Sequence, residues 1–159
     1  MRKKIALVSG GAGFIGSHMV ELLLKKNFEV RVIDNFSTGS IKNLKNLKKN
    51  NKLKYKKIDI TKLNPKDKIF KKVDYVFHFA GIADLVPSIE QPENYMMTNF
   101  IGTIKMLEAS RNFKIKKFVY AASASCYGKT ELKVSEKDKI NTEHPYGFSK
   151  YCGELVVQH

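Results

Sequence analysis

Long apolar runs are missing from this chain of 159 residues. A membrane-spanning helix needs about 20 consecutive apolar residues, so none is expected. The basic opening Met1-Arg2-Lys3-Lys4 precedes an apolar stretch too short for a signal peptide. That stretch breaks into glycines without a cleavage-site pattern, which predicts a cytoplasmic protein. Cysteine is scarce: Cys126 and Cys152 are too few for a disulfide framework and have no metal-ligand spacing. The histidines, at positions 18, 78, 144 and 159, are scattered and form no visible metal cluster. Arginine is scarce too. Of 29 basic residues only Arg2, Arg31 and Arg111 carry the planar fork that recognises phosphates and bases. The formal charge of +14 therefore reads as a solvated, lysine-heavy surface rather than a specific nucleic-acid site. Its lysines crowd residues 42–72 without an interleaved aromatic stripe. Non-specific attraction to polyanions follows from the charge alone. There is no internal repeat and no low-complexity linker, and the length suffices for one domain with a real core.

What is present is organised around the opening. Ile5-Ala6-Leu7-Val8-Ser9 reads as a buried strand. Gly10, Gly13 and Gly16 follow at three-residue intervals, and residues 17–25 read as a helix. In such a turn the first glycine allows a tight bend, the second a close approach to a pyrophosphate, and the third close packing of helix on sheet. The helix N-terminus offers unpaired N–H groups and a positive dipole end to phosphates. A second strand, Glu29 to Ile33, ends at Asp34, 18 residues after Gly16. A carboxylate there can accept hydrogen bonds from both adenosine ribose hydroxyls, and it repels a 2′-phosphate. Strand, turn, helix, strand and Asp together predict a dinucleotide site that prefers NAD to NADP.

Further along, Ile41, Leu44 and Leu47 have helical spacing, so a short helix is expected over 42–49. A third strand is expected over 53–58, closing on Asp59-Ile60, and another short helix over 65–72. The fourth strand, 73–79, leads into Ala80-Gly81, where small residues let a nucleotide lie against the strand end. A loop over 82–92 and a long helix over 93–112 follow. The fifth strand spans 117–122 and precedes Ser123, after which a charged loop runs to Glu143. Pro145 opens the last helix, as a residue suited to the first helical position. Alternating strands and helices give an α/β fold, a Rossmann-type doubly wound parallel sheet. Right-handed crossovers place its strands in the order 3-2-1-4-5. The glycine turn, Asp34, Asp59, Ala80-Gly81 and Ser123 are then all expected at carboxyl ends of strands, where such sheets bind ligands.

Tyr146 and Lys150 are four residues apart and share a helix face. An ammonium beside a phenol favours the phenolate, which makes the pair a candidate general base. Ser123 is placed to hydrogen-bond the same substrate oxygen. Cys126 reads as a small packing residue, and Asn99 as a polar residue either of helix packing, the favoured reading, or of site shaping.

These residues resemble the extended short-chain dehydrogenase/reductase family, the nucleotide-sugar epimerases and dehydratases. Gly10-Gly11-Ala12-Gly13-Phe14-Ile15-Gly16 is similar to that family's fingerprint, and Asp34-Asn35-Phe36 to its ribose-binding segment. Asp59-Ile60 resembles its adenine-side contact, and His78-Phe79-Ala80-Gly81 its His-Leu-Ala-Ala stretch. Asn99 to Thr103 resembles its Asn-Val-x-Gly-Thr helix. Ser123 to Gly128 and Tyr146 to Lys150 fill its two catalytic blocks. The resemblance implies NAD held as a recycled group by Gly10, Gly13, Phe14, Ile15, Gly16, Asp34, Asn35, Asp59, Ile60, Phe79, Ala80, Gly81, Tyr146 and Lys150. It implies Tyr146 as the base, Ser123 as its partner on the substrate oxygen, and Lys150 as the ribose-binding ammonium. Dehydratases of the family carry Thr-Asp-Glu where this chain has Ser123-Ala124-Ser125, and its decarboxylases carry an acid at the third position. The carboxylate-free block resembles the 4-epimerases, which implies a UDP-sugar 4-epimerase acting on a UDP-hexose. Glucose, N-acetylglucosamine and glucuronate forms stay open, as do another dehydratase or reductase of the family and a non-catalytic NAD-binding module. The resemblance also implies a homodimer in the full-length form. It casts residues 1–159 as an incomplete NAD-binding domain without its last strands and carboxyl-terminal substrate domain.

Overall fold

The computed structural model describes residues 2–47, 49–129 and 133–159. The chain divides into two compact units. The first holds the chain up to Ala80 together with Lys105–Ala121, and the second holds Gly81–Ile104 together with Ala122–His159.

The first unit is built on a parallel sheet of β1 (Ile5–Ser9), β2 (Glu29–Asp34), β3 (Leu53–Lys57), β4 (Tyr75–His78) and β5 (Lys117–Tyr120). The strands stand in the order β3-β2-β1-β4-β5, as the alternation of elements predicts. Successive side chains of a strand point to opposite faces, and the central strand is buried along its whole length. On one face Ala6, Val8, Val30 and Val32 pack with Val20, Leu23 and Leu24 of α1 (Phe14–Lys25) and with Leu44. On the other, Ile5, Leu7, Ile33 and Val76 pack with Met106 and Ala109 of α4 (Gly102–Asn112) and with Ile60, Leu63, Phe70 and Val73. The edge strand β3 differs: Lys54, Tyr55, Lys56 and Lys57 are all exposed.

A carboxylate fastens the amino ends of three strands. Asp74 is 2% exposed and accepts from the Ile5 amide at 3.0 Å, from Arg2 at 2.6 Å and from Lys116 at 3.0 Å. Its own amide donates to the Ile5 carbonyl at 2.8 Å. Burial pushes this carboxyl up, but the Ile5 amide, the Lys116 ammonium and the Arg2 guanidinium outweigh burial and hold it below the usual carboxylate range.

Several elements depart from expectation. The helix expected over 42–49 is a 3₁₀ run, Ile41–Leu47, anchored by buried Leu44, and Lys48 lies outside the described residues. The helix expected over 65–72 shrinks to one 3₁₀ turn, Lys68–Phe70, which the Asp67 carboxylate caps at Ile69. Lys72 then turns left-handed, at φ 63°, and no helix can pass it. Strands β3, β4 and β5 are one to three residues shorter than expected.

In the second unit, the loop expected over 82–92 contains α2 (Leu85–Glu90). Pro87 falls in its first turn, where a missing N–H costs nothing. The helix expected over 93–112 is interrupted. It begins as α3 (Pro92–Tyr95), widens to a π-turn at Met96–Ile101, and continues as α4. Asn99 is the buried residue of that π-turn. The last helix, α5 (Pro145–Gln158), starts at the expected proline. Part of the charged loop before it, residues 130–132, lies outside the described residues. Among the described residues no helix is long and apolar enough to cross a membrane.

Replacing Asp74 by Ala leaves the buried Ile5 amide unpaired and is expected to lower stability by about 2 kcal/mol in urea unfolding at pH 7. The folded carboxyl is depressed, so its contribution is present above the ordinary carboxylate range and is lost as pH falls through the folded value. The difference between wild type and Asp74→Ala should therefore shrink in acid, and a constant difference down to pH 2 would contradict this account.

Candidate functional site

The glycine turn of the first unit is a place of close backbone approach. Gly10 has φ 69°, and a Cβ there would lie 2.6 Å from the Ala80 nitrogen at the end of β4. A Cβ on Gly16 would overlap the Gly10 carbonyl. Only hydrogen fits at either position. The turn is tied by Gly10 N–H to the Ile33 carbonyl at 2.9 Å and by Gly13 N–H to the Gly10 carbonyl at 3.1 Å. Gly13 caps α1 without a side chain, so no side chain takes the first amides of that helix. Phe14 and Ile15, apolar as they are, stand 78% and 63% exposed beside them.

Asp34 closes the other side of the turn. Its Oδ2 accepts the Ala12 amide at 2.9 Å, and its Oδ1 accepts the Phe36 amide at 2.8 Å. The Ala12 carbonyl accepts from Ser40 N–H and from Asn43 Nδ2, which brings the loop after Asn35 onto the turn. Asn35 itself accepts from Ser37. Asp59 caps the turn Ile60–Lys62 through the Thr61 amide and hydroxyl. Burial raises its carboxyl, while the Thr61 bonds, Asn35 and Lys62 together hold it below its ordinary value. The Ile60 side chain packs into the core, so what this residue can offer a ligand is backbone. Phe79 packs against the α1-side core.

One pair in this unit escaped the sequence reading. Ser9 Oγ and His78 Nδ1 lie 2.5 Å apart, both buried, and the Ala80 amide reaches Ser9 Oγ at 3.4 Å. The pair steadies the end of β4 against which Gly10 rests. A polar residue within each of two apolar strands was the available signal.

In the second unit, Ser123 lies three residues past the end of β5, not at its tip. It caps the 3₁₀ turn Ala124–Tyr127 by accepting the Ser125 amide at 3.2 Å. Its hydroxyl donates to Tyr146 Oη at 3.4 Å, so the two candidate catalytic hydroxyls meet. Tyr95 places its ring edge on the Tyr146 ring, with centroids 6.3 Å apart. Lys150, one helical turn beyond Tyr146, is only 9% exposed, and burial lowers its ammonium from an ordinary 10.5 to about 8. Gly147 seats the helix on the serine turn: a Cβ there would come 2.6 Å from the Ser125 carbonyl. Cys126 packs below, with Sγ 3.6 Å from the Gly147 carbonyl, and burial raises its thiol above the ordinary value. This fits the packing role read from the sequence.

Asn99 turns out to be a clamp. Its Oδ1 accepts the Ile82 amide at 2.9 Å, and its Nδ2 donates to the Ile82 carbonyl and the Ser149 hydroxyl, both at 3.0 Å. Gly81 packs on it so closely that a Cβ would lie 2.8 Å from Oδ1.

A model of the family described as GDP-mannose 4,6 dehydratase matches residues 7–159. The putative UDP-glucose 4-epimerase of Methanocaldococcus jannaschii is 41% identical over 155 residues, which cover 96% of this chain and 49% of that protein. Among solved structures, the UDP-N-acetylglucosamine 4-epimerase of Methanobrevibacter ruminantium M1, in complex with UDP-N-acetylmuramic acid, matches with a TM-score of 0.91 at 34% identity. That match covers 99% of this chain and 50% of the other. The UDP-glucuronic acid 4-epimerase of Bacillus cereus, in complex with NAD, matches with a TM-score of 0.87 at 31% identity, covering 97% and 51% of the two chains. The chain spans about half the length of the curated relatives it matches.

The buried Lys150 gives a signed pH effect. Folding disfavours its charged form, so the cost is full below about pH 8 and is relieved as pH rises toward 10.5. In the ligand-free protein, Lys150→Met should be more stable at pH 7 by up to about 3 kcal/mol. The gap to wild type should close between pH 8 and 10.5 in denaturant titrations. A gap that widens over that range would refute the assignment.

Proposed function

Because the chain belongs to the family described as GDP-mannose 4,6 dehydratase, the NAD-dependent epimerases and dehydratases, we propose that it carries the cofactor-holding and acid–base residues of a UDP-sugar 4-epimerase. The observation that carries this reading is the Ser123–Tyr146 hydroxyl pair at 3.4 Å, set in a turn without a carboxylate from Ser123 to Tyr127. Elimination of water from a sugar calls for an added acid and base, and inversion of a carbinol does not.

The residues of the first unit fit NAD. The glycine turn leaves backbone where a Cβ would intrude, and the first amides of α1 lack a side-chain cap, which suits a pyrophosphate. Asp34 has a lone pair on each oxygen beyond its two amide bonds for ribose hydroxyls, and its charge disfavours a 2′-phosphate. NAD so bound supplies the acceptor, and then the donor, of one hydride.

The protein side of the reaction is proton handling. Tyr146 Oη takes the proton of the sugar C4 hydroxyl as the C4 hydrogen departs with its electron pair. Ser123 Oγ donates a hydrogen bond to the same oxygen and holds it through its change from hydroxyl to ketone. After the keto sugar presents its other face, the hydrogen returns to C4 with its electron pair and Tyr146 gives the proton back to the C4 oxygen. No net oxidation results. Lys150 would offer its ammonium to the ribose hydroxyls. A UDP-hexose is the substrate class; UDP-glucose, UDP-N-acetylglucosamine and UDP-glucuronate are the three to assay.

The test is turnover of those three substrates by the full natural protein, with sugar products identified by NMR. Interconversion at C4 is expected, and Tyr146→Phe should reduce it about 10³-fold while bound NAD is retained. A 4-keto-6-deoxy product would replace the epimerase by a dehydratase. Retained NAD without turnover of any nucleotide sugar would replace it by a cofactor-binding module.

A further inference from the structure

The amino end of α5 carries Tyr146 as its second residue, and its cap is unusual. The cap residue is His144, with extended backbone at φ −150° and ψ 158°. Its Nδ1 accepts the Gly147 amide at 3.1 Å, and its carbonyl accepts the Phe148 amide at 3.1 Å. Pro145 has no N–H to satisfy. The imidazole ring also lies parallel to the Tyr146 ring, with centroids 6.1 Å apart. His144 thus holds the catalytic helix in two ways, by a bond to the amide beyond Tyr146 and by a ring beside it.

Serine, threonine, aspartate and asparagine make this kind of cap at any ordinary pH. A histidine makes it only while Nδ1 keeps its lone pair. Protonation turns the acceptor into a donor facing another donor. It also sets a positive charge against the positive end of the helix. The neighbouring amide is not free to adapt, because Gly147 is wedged against the Ser125 carbonyl.

We propose that His144 is a positioning residue of the catalytic helix: its neutral imidazole fixes Gly147 and Tyr146, and acid loosens the site by removing the cap. The proposal rests on Tyr146 as the acid–base residue. The titratable groups are Glu143 and Tyr146 beside it in its own segment and, on the elements packed against α5, Glu90 of α2, Glu93 and Tyr95 of α3, and Cys126 and Tyr127 of the serine turn. Among the described residues none of these carboxylates forms an ion pair with His144.

The experiment compares wild type, His144→Asn and His144→Ala in the full natural protein. Asparagine is a good cap that does not titrate, so it keeps the bond and removes the switch. The first readout is hydrogen-exchange protection of the Gly147 amide between pH 8 and 5, corrected for the intrinsic rate of exchange. Wild type should lose about fivefold in protection toward pH 5, His144→Ala should show that loss at every pH, and His144→Asn should show it at none. The second readout is the pH profile of kcat, in which His144→Asn should keep most of the turnover at pH 8 and flatten the acid limb. His144→Ala should lower kcat with KM little changed. Gly147 protection that is independent of pH in wild type, or that still falls in His144→Asn, would overturn the proposal. Protection that behaves as expected in a protein that turns over no nucleotide sugar would leave the cap standing and remove the epimerase reading instead.

Discussion

The first unit depends on how closely two backbones meet at Gly10. At the end of β1 the chain must turn left-handed and pass within contact distance of Ala80, the residue that leaves β4. Any side chain there would drive β1 and β4 apart or unseat the turn. Gly16 repeats the demand six residues later, against the Gly10 carbonyl. The buried Ser9–His78 pair and the two amide bonds of Asp34 hold the loops in place around this contact. The hydrophobic core supports the sheet on both faces, but the spacing at Gly10 decides whether the helix amides are left open for an anion.

The sheet was legible in the sequence because apolar runs and glycine punctuation are strong signals. β1 and its turn occur where the pattern puts them, and the strand order follows from alternating elements and right-handed crossovers. Short elements were harder to read. The stretch 65–72 has helical composition, yet the Asp67 cap, buried Phe70 and left-handed Lys72 reduce it to one turn. The helix at Leu85–Glu90 was hidden by Pro87 and by apolar residues that face outward. The break at Met96–Ile101 has no compositional mark, because a π-turn is a one-residue insertion that any helix-forming sequence can absorb.

The candidate site was legible as a set of residues and not as a set of bonds. The spacing of Tyr146 and Lys150 and the position of Ser123 could be read from the chain. The burial of Lys150, the clamp that Asn99 makes on Ile82, and the cap at His144 could not. Each depends on a partner distant in sequence or on a ring orientation, which no local pattern encodes. Cap positions usually hold a small oxygen-bearing side chain, so a histidine before Pro145 looks like ordinary loop sequence.

The lysines of β3 have a consequence beyond surface charge. An edge strand presents unpaired amides and carbonyls, and natural sheets blunt such a margin with charged residues, lysine above all. Here Lys54, Lys56 and Lys57 stand on that strand, with Glu29 and Asp67 partly neutralising Lys54 and Lys56. A second molecule trying to extend the sheet would bring its own row of ammonium groups into register. The same residues that make the composition look like that of a polyanion binder thus act as a guard against fibrous growth. That guard weakens wherever multivalent anions screen it.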